Sequence, residues 1–227
     1  MNAEQSDSST LVVFFRRPAP GVGKQRIAAD LGAQRALELG QMLLAATIED
    51  AEAWPGPVVL APAAVTDAAW AEGLLSRPFS TSPQPAGSLG QRINAVDAQL
   101  RDAGAELLIY IGSDAPVLDE SYYAAARRAL CAHDVVLGPA EDGGVTLMGA
   151  RQAWPDIAGL PWSTGKLAEA LAARCRDAGM SICYLEPRYD IDVQADLLRL
   201  TRDLAHDCRP ARRRLVAWLE RNRMVTG

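Results

Sequence analysis

The sequence predicts an α/β domain built on a mostly parallel sheet with helices on both faces. Short apolar runs alternate with Ala/Leu-rich stretches at helical spacing almost throughout the chain. Several of those runs are continuously apolar, the pattern of strands buried on both faces. A length of 227 residues suits one such domain.

The first strand is Leu11 to Phe15, ending in a Pro/Gly-rich loop. Residues 34–52 have helical spacing and stop at Trp54-Pro55-Gly56-Pro57. Strand Val58–Leu60, a helix over 66–75 and a short strand at 79–81 follow. A helix over 89–103 ends at Gly104, and strand 106–111 runs straight into Gly112-Ser113-Asp114-Ala115-Pro116. Next come helix 119–131, strands 135–138 and 145–148, helix 165–178, strand 181–185 and a helix from about 194. Residues 1–10 read as a loose polar tail, 11–205 as the domain, and 206–227 as a basic amphipathic helix packed on it. The Arg212-Arg213-Arg214 run on that helix reads as a solvated face.

Composition narrows the function classes. Charged residues at 22% and a net charge of −5 argue against nucleic acid as the main partner. No apolar run approaches the roughly 20 residues of a membrane span, and the polar start lacks a signal-peptide pattern. Four scattered cysteines without a C-x-x-C pair suggest reduced thiols and a cytoplasmic setting. With His133 and His206 the only histidines, histidine-based chemistry has little to draw on.

Ligands of open α/β sheets sit at the carboxyl ends of the strands, and polar constellations fall there. After the first strand, Arg16, Arg17, Lys24 and Arg26 share a loop with Pro18, Pro20, Gly21 and Gly23. Glycines let backbone N–H groups approach an anion, and the cations neutralise phosphate. Asp114 at a strand end suits a hard divalent cation, and Asp119 supplies a separate cap for the next helix. In Tyr189-Asp190-Ile191-Asp192, alternation places both aspartates on one side with Ile191 buried opposite, and either aspartate could complete a metal site. Glu141-Asp142-Gly143-Gly144 is a turn or a ligand-approach loop. The loop Gln84–Gly90, with Gln84, Gly87 and Gly90, suits a base or phosphate at a helix start.

In order along the chain stand Arg17-Pro18-Ala19-Pro20-Gly21 with Lys24 and Arg26, Gly90-Gln91-Arg92, Gly112–Pro116, Gly138–Gly144, Pro161-Trp162-Ser163-Thr164 and Tyr189–Asp192. Together they resemble the bacterial family described as glycosyltransferases or selenodomain-associated transferases, within the nucleotide-diphospho-sugar transferase superfamily (GT-A, MobA-like). The resemblance covers about residues 11–200. It implies a GT-A, Rossmann-like mixed sheet, a bound nucleotide or nucleotide sugar, a small-molecule acceptor and Mg²⁺ or Mn²⁺. Lys24-Gln25-Arg26 is similar to the triphosphate-gripping loop of phospholactate guanylyltransferases. Asp192 is similar to the late magnesium-binding aspartate of sugar-acid cytidylyltransferases, with Asp114 as the first metal ligand. Gln25 stands where Ser or Thr is usual, Val145-Thr146 replaces an aromatic pair, and Val193-Gln194-Ala195 replaces Thr-Pro-Glu.

The leading expectation is nucleotidyl transfer. Lys24, Arg26 and Asp114 would be catalytic, and Asp114 and Asp192 the metal ligands. Arg17, Pro20, Gly21, Lys24, Arg26, Gln84, Gly87 and Gly90 would line the nucleotide. Glu141, Asp142, Gly143, Gly144, Trp162, Ser163 and Thr164 would form the acceptor side. The alternatives are glycosyl transfer, with Glu141 or Asp142 as base, and a non-catalytic nucleotide-binding module. The chain also allows a homodimer.

Overall fold

The computed structural model describes residues 9–222. Seven strands form one sheet: β1 (Thr10–Phe15), β2 (Val58–Pro62), β3 (Ser80–Thr81), β4 (Leu108–Ile111), β5 (Val135–Pro139), β6 (Val145–Ala150) and β7 (Ile182–Tyr184). Their spatial order is β3-β2-β1-β4-β6-β5-β7. All pair in parallel except β6, which runs antiparallel between β4 and β5. The predicted mostly parallel mixed sheet is therefore present.

Eight helices accompany it: α1 (Gln25–Leu31), α2 (Ala33–Ala53), α3 (Ala68–Ala71), α4 (Leu89–Asp102), α5 (Glu120–Ala132), α6 (Leu167–Asp177), α7 (Gln194–Asp203) and α8 (Pro210–Arg221). Strand periodicity divides the core. Leu11, Val13 and Phe15 join Leu44 and Trp54 near α2 and Tyr122, Tyr123 and Leu130 of α5 on one face. Val12, Tyr110, Leu137 and Met148 join Ile93 and Val96 of α4 and Leu171 and Cys175 of α6 on the other. A third cluster, with Ile27, Leu39, Leu43, Ile191, Leu197, Leu215 and Trp218, packs α1, α2, α7 and α8 together. Burying a Leu or Trp side chain of this kind contributes about 1.5–3 kcal/mol.

The structure departs from the sequence reading in four places. Residues 1–8 of the expected loose tail lie outside the described residues, but Ser9 and Thr10 are buried. The Ser9 carbonyl accepts the Trp54 indole N–H at 2.9 Å, and Thr10 opens β1. Gln25–Leu31, of which the sequence places Gln25 and Arg26 in the loop and assigns the rest no element, is a helix whose Ile27 is fully buried. The helix expected over 66–75 is a 3₁₀ turn, Val65–Asp67, followed by the four residues of α3, and Gly73 already lies in a turn. Arg212 on α8 is not on a solvated face: it is fully buried, with its guanidinium 2.6 Å from Asp50 and 3.1 Å from Glu49. Among the described residues no helix is long and apolar enough to cross a membrane.

Candidate active site

From β1 the sheet grows toward β2 in one direction and toward β4 in the other, so the β1–β4 crevice is a topological switch point. A cleft of about 380 Å³ opens there, outside the carboxyl ends of the parallel strands. Because β6 is antiparallel, its start at Val145 and Thr146 reaches the same end and joins the wall. The loop after β1, residues 112–114 after β4, and Gln84, Arg92 and Trp162 complete the lining.

Lys24 ends the first loop in a left-handed conformation, φ 50°, uncommon for a residue with a side chain. That backbone turn starts α1, and the buried Lys24 side chain, 9% exposed, lies 2.8 Å from Asp114 Oδ1. Lys24 Nζ also donates to the Ile191 carbonyl. The Ile191 N–H in turn donates to the Asp114 carbonyl at 2.9 Å. Three segments far apart in sequence thus meet at one ammonium. Ile191 is buried, as the alternation predicts. The Asp119 carboxylate caps α5 through the Tyr122 N–H at 2.9 Å, which leaves Asp114 out of capping.

Asp192 lines the cleft and faces Arg26 at 3.4 Å, both largely exposed. An exposed pair of this kind contributes little stability. The start of α7 is served by Asp196, whose Oδ2 accepts the N–H groups of Asp192 and Val193 at 2.8 Å. The Asp192 carboxylate is therefore not spent on the helix cap. Burial, and then the nearby charges of Asp192 and Asp142, push the Asp190 carboxyl up to about 6. Among the described residues no three His, Cys, Asp or Glu side chains converge on a metal position by themselves.

The α4 side of the cleft is built differently. Gln84 is buried, donates to the Ala61 carbonyl at 2.6 Å, and accepts from Arg92 Nη1 at 2.8 Å. Arg92 Nε also donates to the Ser88 carbonyl at 3.4 Å. Ser88 caps α4 in a reciprocal capping box with Gln91. The amide expected to read a base is thus occupied in holding an arginine. The sequence reading assigned Arg92 no role of its own, and its one signal was the Gly90-Gln91-Arg92 block.

The remaining expected residues scatter. Arg17 lines the cleft but pairs with Asp67 at 3.6 Å and stacks over the Trp70 ring at 4.9 Å. Pro20 and Gly21 are exposed on the outer bend of the loop, where the Gly21 carbonyl accepts from Gln25 Nε2 at 2.7 Å. Gly87, φ 130°, turns the chain into the α4 cap. Gly90 is buried, and a Cβ there would come within 2.3 Å of the Ile157 carbonyl oxygen and 2.4 Å of Trp162 Nε1. It serves close packing and does not face the cleft.

On the expected acceptor side, only Trp162 lines the cleft, its indole N–H donating to the Ile157 carbonyl at 2.9 Å. Ser163 and Thr164 lie in an exposed turn. Glu141 is held by two bonds from Arg199, at 2.5 and 2.8 Å, and these keep its carboxyl below the ordinary value. Asp142 Oδ1 accepts the Gly144 N–H at 2.9 Å, closing a turn. A Cβ on Gly143 would lie 2.0 Å from the Gly165 carbonyl oxygen, so this turn is fastened to the 161–165 turn.

The fold has close counterparts. A provisionally named nucleotide-diphospho-sugar transferase from Desulfovibrio desulfuricans G20 superposes with a TM-score of 0.86 at 21% identity, covering 98% of this chain and all of that one. A cytidylyltransferase from Leptospira borgpetersenii matches at TM-score 0.55 and 12% identity over 95% of each chain. The 4-diphosphocytidyl-2C-methyl-D-erythritol synthase of Anaerococcus prevotii matches at 0.54 and 10% identity, over 95% of this chain and 98% of that one. At such identities these likenesses establish the nucleotide-diphospho-sugar transferase fold and nothing finer. No curated protein matches the chain by sequence. A family model for uncharacterized proteins conserved in bacteria, DUF2064, matches residues 33–164, more than half of the chain. The chain belongs to the DUF2064 family.

Proposed function

We propose that the chain is a divalent-metal-dependent nucleotidyltransferase that moves a nucleotidyl group from a nucleoside triphosphate to a small phosphorylated or acidic acceptor. The observation that carries this reading is the buried Lys24 ammonium, held at the strand-end carboxylate of Asp114 in the switch-point cleft. The fold counterparts named for cytidylyl chemistry support the same class. The side chains fit a magnesium or manganese ion: Asp114 and Asp192 line one cleft, offer only oxygen donors, and are each about half exposed. A magnesium site normally takes one or two carboxylates and fills its remaining positions with phosphate oxygens and water. When bound, such an ion would neutralise charge on the phosphates and orient them.

The chain's own groups do the rest. An acceptor oxygen attacks the α-phosphorus, the bond from that phosphorus to the bridging oxygen breaks, and pyrophosphate leaves with the electron pair. Lys24 holds the negative charge that develops, while Arg26 stands beside Asp192 outside the cleft lining, so no protein nucleophile and no covalent intermediate are required. Glycosyl transfer is the second reading, favoured by the full-length likeness to the Desulfovibrio protein. Against it, Glu141 is ion-paired to Arg199 and Asp142 closes a turn, so neither is placed as a free base.

A thermal-shift screen against nucleoside triphosphates and nucleotide sugars, with and without Mg²⁺ or Mn²⁺, separates these readings. One triphosphate stabilising only with metal, and losing that effect in Asp114→Ala with the fold retained, is the expected result. Stabilisation by a nucleotide sugar but by no triphosphate would replace it with glycosyl transfer. Binding without pyrophosphate release across a broad acceptor panel would leave a non-catalytic module.

A further inference from the structure

We propose that Arg16 and Arg92 form a phosphate subsite on the α4 side of the cleft, separate from the corner where Lys24 meets Asp114. Six charged side chains line the cleft: Arg16, Arg17, Lys24, Arg92, Asp114 and Asp192. Lys24 is matched by Asp114, and Arg17 by Asp67. Among the described residues no carboxylate lies within ion-pair distance of Arg16 or Arg92. Two guanidiniums therefore line one cleft without an ion-pair partner among the described residues. Burial lowers the Arg92 pKa, and the nearby charge of Arg16 lowers it further.

Such an arrangement persists only if other contacts hold it, and they do. Gln84 is pinned by its backbone N–H to the Pro62 carbonyl at 2.9 Å and by its side chain to the Ala61 carbonyl. It then grips Arg92 through Nη1, while Nε is directed to the Ser88 carbonyl. These bonds engage Nε and Nη1, and among the described residues Nη2 donates to no protein acceptor. Arg16 follows β1 directly and is exposed. Phe14, Leu89, Ile93 and Trp162 supply apolar surface around the pair, so an anion there meets fewer competing waters.

The chemistry that matches is a compact dianion. A phosphate monoester carries close to two negative charges at neutral pH and offers three acceptor oxygens, which suits two fork-shaped donors. A single carboxylate offers half the charge. The phosphate can come from the acceptor or from the far end of a nucleoside triphosphate, and that choice of source rests on the reading given above. The existence of the subsite does not, because inorganic phosphate tests it without any nucleotide.

The test uses the full chain and isothermal titration with inorganic phosphate, with acetate as the carboxylate control. The wild type should bind phosphate more tightly than acetate. Arg92→Gln should weaken phosphate binding about 10- to 100-fold, the usual scale for losing hydrogen bonds to a charged group. Arg92→Lys should restore part of it. Melting of each variant without ligand confirms that it folds. Equal phosphate affinity in the wild type, Arg92→Gln and Arg16→Gln would overturn the proposal. With the subsite established, phosphate that binds alongside a metal–triphosphate complex marks it as the acceptor's. Phosphate displaced by that complex marks it as the nucleotide's.

Discussion

Arg212 and Arg92 show how one residue type behaves in two parts of the same molecule. The Arg212 guanidinium has no exposed surface and is surrounded by acceptors: Asp50 at 2.6 Å, Glu49 at 3.1 Å, and the carbonyls of Ala46, Pro116 and Leu118. Its neighbour Arg209 adds a second bond to Asp50 at 2.9 Å and closes on Asp207. Burial pushes the Asp50 carboxyl up, while the two arginines and the Tyr123 hydroxyl pull against it. Arg92, by contrast, has one amide oxygen and one carbonyl, and faces a cleft. A guanidinium with every donor used clamps α8 to α2 and to the loop before α5, whereas one with donors to spare can meet a ligand. What separates the two is whether the surrounding acceptors are complete.

The comparison is broken most directly at the complete site. Arg212→Ala should cost about 3–5 kcal/mol in urea unfolding, because Asp50 is left buried without its main partner. Replacing the pair together, as Asp50→Leu with Arg212→Met, should cost markedly less. A double variant as unstable as the single one would show that the arginine's hydrogen bonds to carbonyls, not its charge, hold α8. At the cleft the expected loss is in rate. Lys24→Ala should lower nucleotidyl transfer about 10²–10³-fold, the usual effect of removing one preorganised charge-stabilising donor. Its melting temperature should move little by comparison, and pyrophosphate release against triphosphate concentration measures the rate. An unchanged rate would remove Lys24 from the chemistry.

The smallest effect is expected at the exposed Glu141–Arg199 pair. The Arg199 hydrogen bonds hold the Glu141 carboxyl below its ordinary value. A depressed carboxyl contributes stability that is present above the unfolded pKa and is lost as pH falls through the folded one. The melting difference between the wild type and Glu141→Gln should thus be present at neutral pH and close in acid. A difference that is constant with pH would exclude the ion pair as its source.

Much of this was legible in the sequence, for physical reasons that differ by element. Buried strands such as Leu11–Phe15 and capped helices such as Leu89–Asp102 announce themselves through local periodicity and end signals. The cleft residues Lys24, Asp114 and Asp192 were readable because strand ends collect ligands. α1 was missed because seven residues beside a Gly/Pro-rich loop make two helical turns at most, and only tertiary packing of Ile27 holds them. The burial of Arg212 was invisible because its partners, Glu49 and Asp50, lie more than 160 positions away on α2. The position of Arg92 depends on Gln84, whose own conformation is set by carbonyls at the end of β2. Composition could name these residues, but it could not say which would be paired.

The glycines at 143 and 165 have one more effect. A Cβ on Gly143 would meet the Gly165 carbonyl and one on Gly165 the Asp142 carbonyl, and the Gly143 carbonyl also receives the Ala168 N–H at 3.0 Å, just inside α6. The turn at 141–144 and the turn at 161–165 therefore behave as one rigid block, and any added carbon would drive them apart. The first loop is the reverse: Gly21 and Gly23 hold left-handed angles with nothing within 4 Å of a would-be Cβ. An alanine at 143 or 165 should therefore lower the melting temperature far more than one at 21 or 23, where the only penalty is the left-handed backbone itself.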